Sequence, residues 1–334
     1  MALEVPLSLE PMEAQPVDEL PSGPGWLLEQ KYDGFRAILF RDGEAVHLQS
    51  RRQRPLGRYF PEVVRAALEW PVTRFVLDGE LVIPGQPFDL LQLRLHPAPS
   101  RVTKLSRDHP ARFVAFDLLA DAEGRSLLAR PFGARRGELE RFFAQGGGPH
   151  DGFALSRATA SFGTARRWLK SVGHGLDGIV AKRLDLPYQS GRRAMQKFKL
   201  WRTVDCVVGG IYRRRGTEQV EYLLMGLYDA AGRLNYVGRC GVGDQAAEAE
   251  RLIAPLIGGS GFDGEAPGGR SRWSDRERVA VPLEPLLVAE VSADHVEHGH
   301  FRHGSRLIRW REDKDPRACT ADQLASGAAG VRTG

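Results

Sequence analysis

The chain has 334 residues, 42% of them hydrophobic and 27% charged, with a formal net charge of +5 at pH 7. That length predicts about two domains, and no apolar run approaches the ~20 residues that span a bilayer. MALEVPLSLEPMEAQP at the start sets acids and prolines where a secretory signal has a basic start and an apolar core, and Cys206, Cys240 and Cys319 are too far apart for a disulfide frame or a CxxC zinc site; a cytoplasmic, reducing location is expected.

Residues 1–25 are Pro-rich and read as extended, with PMEA on the domain surface. WLLEQKYDG, FRAILF, EAVHLQS and FVLDGELVI then alternate as short strands with turns, and the RDGE after FRAILF is a hairpin signal. Helices are expected over 61–68, 88–95, 134–143 after a Pro-Phe-Gly turn, and 162–173, which ends on a glycine. ARFVAFDLLA fits a buried strand, and GIVAKR and MQKFKLW read as strands again. Beyond Trp201 the texture changes to VDCVVGGIYRRR, VEYLLMGLYDAAGRLNYVGRCG and LLVAEVSAD, with one helix over 245–256. About a hundred residues of short strands with one helix predict a small barrel. The expected division is 1–201, 202–320 and a flexible tail over 321–334.

Four stretches concentrate chemistry. EQKYDGFR places Lys31, Asp33, Gly34 and Arg36 at the mouth of a strand. Lysine is a nucleophile only once it sheds its proton, which neighbouring cations or burial favour. Gly34 would let backbone come close to a ligand, and Arg36 carries a planar fork suited to phosphate or ribose oxygens; an ordinary charged turn is the competing reading. In VLDGELVI, Asp78 and Glu80 are two apart and share a strand face. With apolar flanks, burial of these carboxylates needs a cation, a donor or a metal; a tight Asp-Gly hairpin with an exposed Glu is the alternative. LDGIVAKR sets Asp177 and Lys182 at the ends of an apolar run, and QKFKLW puts Lys197 and Lys199 on one face. Like charges side by side repel, so this pair fits either a bound polyanion or an exposed edge guarded against aggregation. RRQRPLGR at 51–58 and RRR at 213–215 are basic patches.

Taken in order, KYDGFR, SRRQR, LDGEL, FVAFDLL, DGIVAK, KFK and finally REDK, the chain resembles the covalent nucleotidyltransferases, and most closely the small two-domain bacterial ATP-dependent DNA ligases, from about Pro11 to Leu324. The resemblance implies an α+β fold: an adenylation domain of antiparallel sheets with helices, followed by an OB-fold barrel. It implies a monomer that seals 5′-phosphate/3′-hydroxyl nicks in duplex DNA during repair through a lysyl-AMP intermediate, using ATP and Mg²⁺ or Mn²⁺. A repair polymerase or end-binding protein would be a separate partner, and the bacterial nucleoid the place of work.

The same resemblance assigns Lys31 the adenylate and Glu29 a part in recognising adenine. Arg36 and Arg51 match contacts to the nucleotide and nicked strand. Glu80 matches a ribose- and metal-associated carboxylate, and Asp177 stands where a metal-binding Glu is commoner. Phe116 matches the ring that stacks on adenine, with Ile179 for the opposite face. Arg192, Lys197 and Lys199 match phosphate holders, and Arg311, Asp313 and Lys314 match the RxDK motif that orients the leaving pyrophosphate. SRRQRPL departs from the commoner Ser-Arg-Asn-Gly form, which leaves Arg52 without an assigned role.

Within the same fold, an RNA ligase or an mRNA-capping nucleotidyltransferase is the alternative. The barrel with REDK argues against many RNA ligases and leaves capping enzymes open. A non-catalytic nucleic-acid-binding protein would keep the basic patches and lose the lysine or carboxylates, all of which are present. His295, His298, His300 and His303 invite a zinc reading, but no cysteine is near and strand alternation would scatter them.

Overall fold

The computed structural model describes residues 3–146, 152–169, 176–199, 202–214, 216–264, 266–267, 279–293, 296–297, 299–301 and 304–325. Two compact units divide the chain, Met1–Lys199 and Leu200–Gly334.

Two five-stranded sheets build the first unit. One runs β1 (Glu13–Val17), β10 (Arg193–Phe198), β9 (Leu176–Arg183), β2 (Trp26–Tyr32), β8 (Ala158–Thr159). The other runs β4 (Ala45–Ser50), β3 (Phe35–Asp42), β5 (Arg74–Val82), β6 (Arg112–Ala120), β7 (Phe153–Leu155). Neighbours are antiparallel except β1–β10 and β6–β7, which the expected antiparallel pattern did not anticipate. AILF, residues 37–40, is continuously apolar because this part of β3 is buried on both faces. Ala37 and Leu39 pack into one core with Phe60, Val63 and Phe142, while Ile38 and Phe40 pack into a second with Tyr188 and Met195.

The helices supply the outer cover. α1 (Pro61–Glu69) has proline in its first turn and buries Val63, Ala66 and Ala67 at i, i+3, i+4 spacing. It stops at Trp70, whose backbone is extended ahead of Pro71. Of the expected 88–95 helix, only α2 (Phe88–Gln92) is α-helical. α3 (Pro99–Asp108) was not expected at all. Its sequence is polar and only Val102 is buried, so no apolar stripe announces it. α4 (Phe132–Gln145) absorbs the supposed Pro-Phe-Gly turn into its first turn, and α5 covers Phe162–Leu169, the remainder of the expected 162–173 helix lying outside the described residues.

The N-terminal segment is not a surface strand. Val5, Leu9 and Met12 are buried in the core that holds Ile38 and Tyr188. PMEA runs into β1, parallel to β10, with Met12 inside and Glu13 and Ala14 half-buried.

In the second unit β11 (Arg202–Arg213), β12 (Val220–Tyr228), β13 (Leu234–Gly241), β15 (Val288–Ala293) and β18 (Ser305–Trp310) close on themselves, with β11 bonded to both β12 and β15. The short strand β14 (Val281–Pro282) adds to it along β11, and β16 (Val296–Glu297) and β17 (His300–Phe301) pair as a separate two-stranded sheet. This closed five-stranded barrel, with α6 (Ala246–Ile253) packed through Ala249 and Ile253, is the expected OB-type architecture. Of the histidine group, His295, His298 and His303 lie outside the described residues, and His300 rests 6.2 Å from the Tyr236 ring. No group of three or more His, Cys, Asp or Glu gathers among the described residues.

Candidate active site

A cavity of about 450 Å³ opens in the first unit, lined from both sheets by Lys31, Arg36, Arg51, Glu80, Phe116 and Lys197 among others. Lys31, near the end of β2, sets its Nζ 2.5 Å from Asp177 Oδ2 on the adjacent strand β9. Lys199 Nζ stands 3.0 Å from the same oxygen. Two of the Asp-Gly pairs exist for close approach. A Cβ on Gly34 would lie 2.1 Å from the Leu81 carbonyl oxygen, and one on Gly178, whose φ is +140°, would lie 2.2 Å from that of Phe198. Glycine at 178 therefore lets the end of β10 press onto β9, which delivers Lys199 to Asp177.

Arg36 is held rigidly. Its Nε and Nη2 donate to the two oxygens of Asp78 at 2.6 and 2.7 Å, and Nη2 also donates to the Met12 carbonyl at 3.2 Å. The Tyr188 hydroxyl donates to Asp78 Oδ2 at 2.7 Å and accepts from the Met12 backbone N–H at 2.9 Å. Burial, then the Asp78 charge, hold the Tyr188 phenol well above its ordinary value, so the donated proton stays on it. Asp78 is fully buried in mid-strand rather than at a hairpin tip, and it meets the cation its burial requires. The guanidinium so fixed lies 4.4 Å from the centroid of the Phe116 ring, and Lys182 Nζ lies 4.4 Å from it as well.

Glu29 is also committed. Its Oε2 is 2.7 Å from Lys182 Nζ, and its Oε1 accepts from Arg136 Nη1 at 3.0 Å and from the Ser156 hydroxyl at 3.3 Å. Lys182 and Arg136 had no site role in the sequence reading. The lysine that closes the apolar run DGIVAK was the available signal for the first; nothing local to α4 pointed to the second.

Four expected residues of the first unit are not on the cavity wall: Asp177 and Lys199 stand behind the lining Lys31, while Ile179 and Arg192 are placed elsewhere. Ile179 is fully buried and turned away, and its neighbour Val180 lines the wall instead. Side chains alternate along β9, so the two cannot share a face. Arg192 is exposed and gives only its backbone to β1, whereas Arg193 lines the cavity. Arg311, Asp313 and Lys314 belong to the second unit. There Arg311 donates to both oxygens of Asp205 at 3.0 Å and to Asp313 at 2.8 and 2.9 Å, with Lys314 Nζ 3.7 Å from Asp205.

Glu80 is the carboxylate that fits a divalent cation. It lines the cavity, and burial pushes its carboxyl up to about 7 against the pull of Lys31 and Arg36. It makes no hydrogen bond or close ion pair with another described residue. One or two carboxylates completed by water and phosphate oxygens is the usual Mg²⁺ arrangement. Asp177 is already shared by Lys31 and Lys199, so it fits that role only once a lysine moves.

Beside this cavity lies a second of about 840 Å³, sharing Arg36, Arg51 and Glu80 and adding Arg52, Arg54, Arg58, Phe35 and Tyr59. The turn that carries the arginines has Gln53 at φ +57°, a left-handed conformation costly for a non-glycine residue. Its Nε2 donates to the Ser8 carbonyl at 2.8 Å, which offsets part of that cost.

Residues 11–199 match the family described as ATP dependent DNA ligase domain, and residues 216–314 the ATP dependent DNA ligase C terminal region. DNA ligase C2 of Mycolicibacterium smegmatis is 44% identical over 98% of this chain and 97% of that protein. DNA ligase C of Mycobacterium tuberculosis is 41% identical over 97% of this chain and 96% of that protein. A solved Lig E DNA ligase structure, 18% identical, covers 90% of this chain and 99% of its own with a TM-score of 0.59, a likeness of fold.

Proposed function

Because the chain belongs to the ATP-dependent DNA ligases, we propose that Lys31 is the residue that carries AMP between ATP and DNA. The chain is an ATP-dependent DNA ligase; the residue roles, the metal, the domain limits and the repair setting are our reading. The observation that supports it is one carboxylate oxygen, Asp177 Oδ2, within hydrogen-bonding distance of Lys31 Nζ at the wall of a cavity lined by arginine, lysine and phenylalanine.

In that reading Asp177 orients Lys31 and accepts its proton as Nζ attacks the α-phosphorus. The N–P bond forms and the P–O bond to pyrophosphate breaks. Phe116, flanked by Arg36 and Lys182, offers a face for the adenine ring. Arg36 is held by Asp78 over the Phe116 ring, and Glu29 positions Lys182 rather than meeting the base with a free carboxylate. Lys197, Arg51 and Arg193 neutralise phosphate charge, since nucleotidyl transfer rests on positioning and charge neutralisation. A divalent ion, Mg²⁺ or Mn²⁺, would be held by Glu80 and would add charge stabilisation at the phosphates. AMP then passes to the 5′-phosphate at a nick, and the adjacent 3′-hydroxyl displaces it. Arg52, Arg54 and Arg58 give the second cavity the charge to hold DNA phosphates there.

Domain limits near 201 and 320, a role of Arg311, Asp313 and Lys314 in orienting pyrophosphate, and work in DNA repair beside a separate polymerase or end-binding protein complete the proposal. Replacing Lys31 with Ala should abolish stable labelling by ATP radioactive at its α-phosphate; label that survives the substitution would refute the assignment.

A further inference from the structure

β1 contributes an acid to a cavity that otherwise gathers cations to receive phosphate. Glu13 lines the wall with one oxygen, Oε1, 3.4 Å from Arg51 Nη1 and the other, Oε2, 3.8 Å from Arg193 Nε. The two arginines come from opposite sheets, Arg51 just after β4 and Arg193 at the start of β10. Their side chains are 57% and 69% exposed, so neither is spent on the protein interior. What they share is a planar two-oxygen anion delivered by the chain itself. Placement of Glu13 is set by its neighbours: the backbone N–H of Glu13 donates to the Arg192 carbonyl at 2.8 Å, and Met12 is pinned to Tyr188 and Arg36.

We infer that Arg51 and Arg193 form a phosphate-binding clamp and that Glu13 is its internal competitor, a carboxylate that occupies the clamp until a phosphate group displaces it. The inference rests on the reading that this cavity takes a nucleotide. A phosphate brings more negative charge and more acceptor oxygens than a carboxylate and can engage both forks at once. Glu13, half-exposed, has solvent to turn into when it is displaced. The device sets selectivity: a weakly held anion does not evict Glu13, whereas a multiply charged one does. Two phosphates qualify, the outer phosphates of ATP and the 5′-phosphate of a nicked strand, and they share the same chemistry at the clamp.

The test compares wild type, Glu13→Gln and Arg193→Gln, each stripped of bound AMP with pyrophosphate. One arm measures KM for ATP in the labelling of Lys31; the other measures Kd for nicked duplex DNA with and without its 5′-phosphate. An exposed ion pair of this kind holds up to about 1 kcal/mol, so Glu13→Gln should tighten one arm by about two- to fivefold. Arg193→Gln should weaken the same arm. Tightening for ATP places the triphosphate in the clamp, and tightening that depends on the 5′-phosphate places the DNA end there. If Glu13→Gln leaves both arms unchanged or weaker while Lys31 is labelled normally, the competitor role is overturned and the nucleotide reading stands. Absence of label on wild-type Lys31 overturns both.

Discussion

Tyr188→Phe removes a single oxygen atom that sits between the N-terminal segment and the arginine of the cavity. In the native structure that oxygen donates 2.7 Å to the buried carboxylate of Asp78 and accepts 2.9 Å from the buried Met12 N–H. The first bond is to a charged group, worth roughly 1.5–3 kcal/mol, and loss of the second strands a buried donor at about 1–3 kcal/mol. Asp78 keeps both bonds from Arg36, so the expected net loss is nearer the lower end of that sum, about 3 kcal/mol. In urea, with a slope of about 2–3 kcal/mol per molar for a unit of this size, the midpoint of the first unit should fall by about 1 M. The site should respond too, because Met12 O is the third acceptor for Arg36. KM for ATP in Lys31 labelling should rise, while the Lys31–Asp177 pair, which does not involve Tyr188, should leave the maximal labelling rate little changed. A midpoint shift below about 0.3 M would show that the hydroxyl is not a joint between strand and site.

Phe116→Ala should cost about 1–3 kcal/mol of base stacking, read as a roughly five- to 150-fold rise in KM for ATP; an unchanged KM would remove the ring from the nucleotide site. Ile179→Ala should cost about 2–5 kcal/mol of stability by denaturation with KM for ATP unmoved, since its side chain faces away from the cavity; a KM effect without a stability loss would reverse the placement. Asp177→Asn should slow single-turnover labelling of Lys31 by at least about a hundredfold with a smaller change in KM, the pattern of a lost proton acceptor; an effect on KM alone would make Asp177 a binding group.

The parts legible in the sequence were those with a local physical cause. EQKYDGFR, LDGEL and LDGIVAK announced themselves because a charged residue beside a glycine inside an apolar run is expensive unless something close by demands it, and Leu81 and Phe198 carbonyls do make that demand at Gly34 and Gly178. The errors came where local pattern carries no information. β9 is buried on both faces, so LDGIVAKR cannot say whether Ile179 or Val180 faces the cavity. Arg192 and Arg193 are adjacent and identical in type, and only the register of β10 against β1 separates them. In the Pro-rich N-terminus, Val5, Leu9 and Met12 stand at i, i+4, i+7, but Pro6 and Pro11 interrupt the run and no helix forms, and they fill a core between the sheets as irregular chain. Arg136 reaches Glu29, and Tyr188 reaches Asp78, across distances in sequence that no window spans.

Charge balance in the cavity gives the arrangement its direction. Three acids at the cavity are matched to named cations, Asp78 to Arg36, Glu29 to Lys182 and Arg136, and Asp177 to Lys31 and Lys199, whereas Glu80 has no such ion pair among the described residues. Lys197 has no such match among the described residues. Burial, then the charges of Lys31 and Lys199, push its ammonium below the ordinary lysine value. A cavity in which lysines crowd one another is strained toward accepting negative charge. Triphosphate relieves that strain, and so does the adenylate it leaves on the enzyme. In the proposed reaction Lys31, once a phosphoramidate, ceases to be a cation and adds an anion, so Asp177 loses one of its two partners. Lys199 and Lys197 then face a phosphate fixed in place. In the proposed mechanism the same side chains that draw ATP in are left holding the adenylate, and Asp177, once it has passed on the Lys31 proton and with Lys199 its remaining partner, would be open to a metal at the step where DNA arrives. Asp177→Asn should separate the two stages, slowing adenylation of Lys31 and, in enzyme adenylated beforehand, raising the Mg²⁺ concentration needed for sealing; equal Mg²⁺ dependence in the sealing step would confine Asp177 to the first stage.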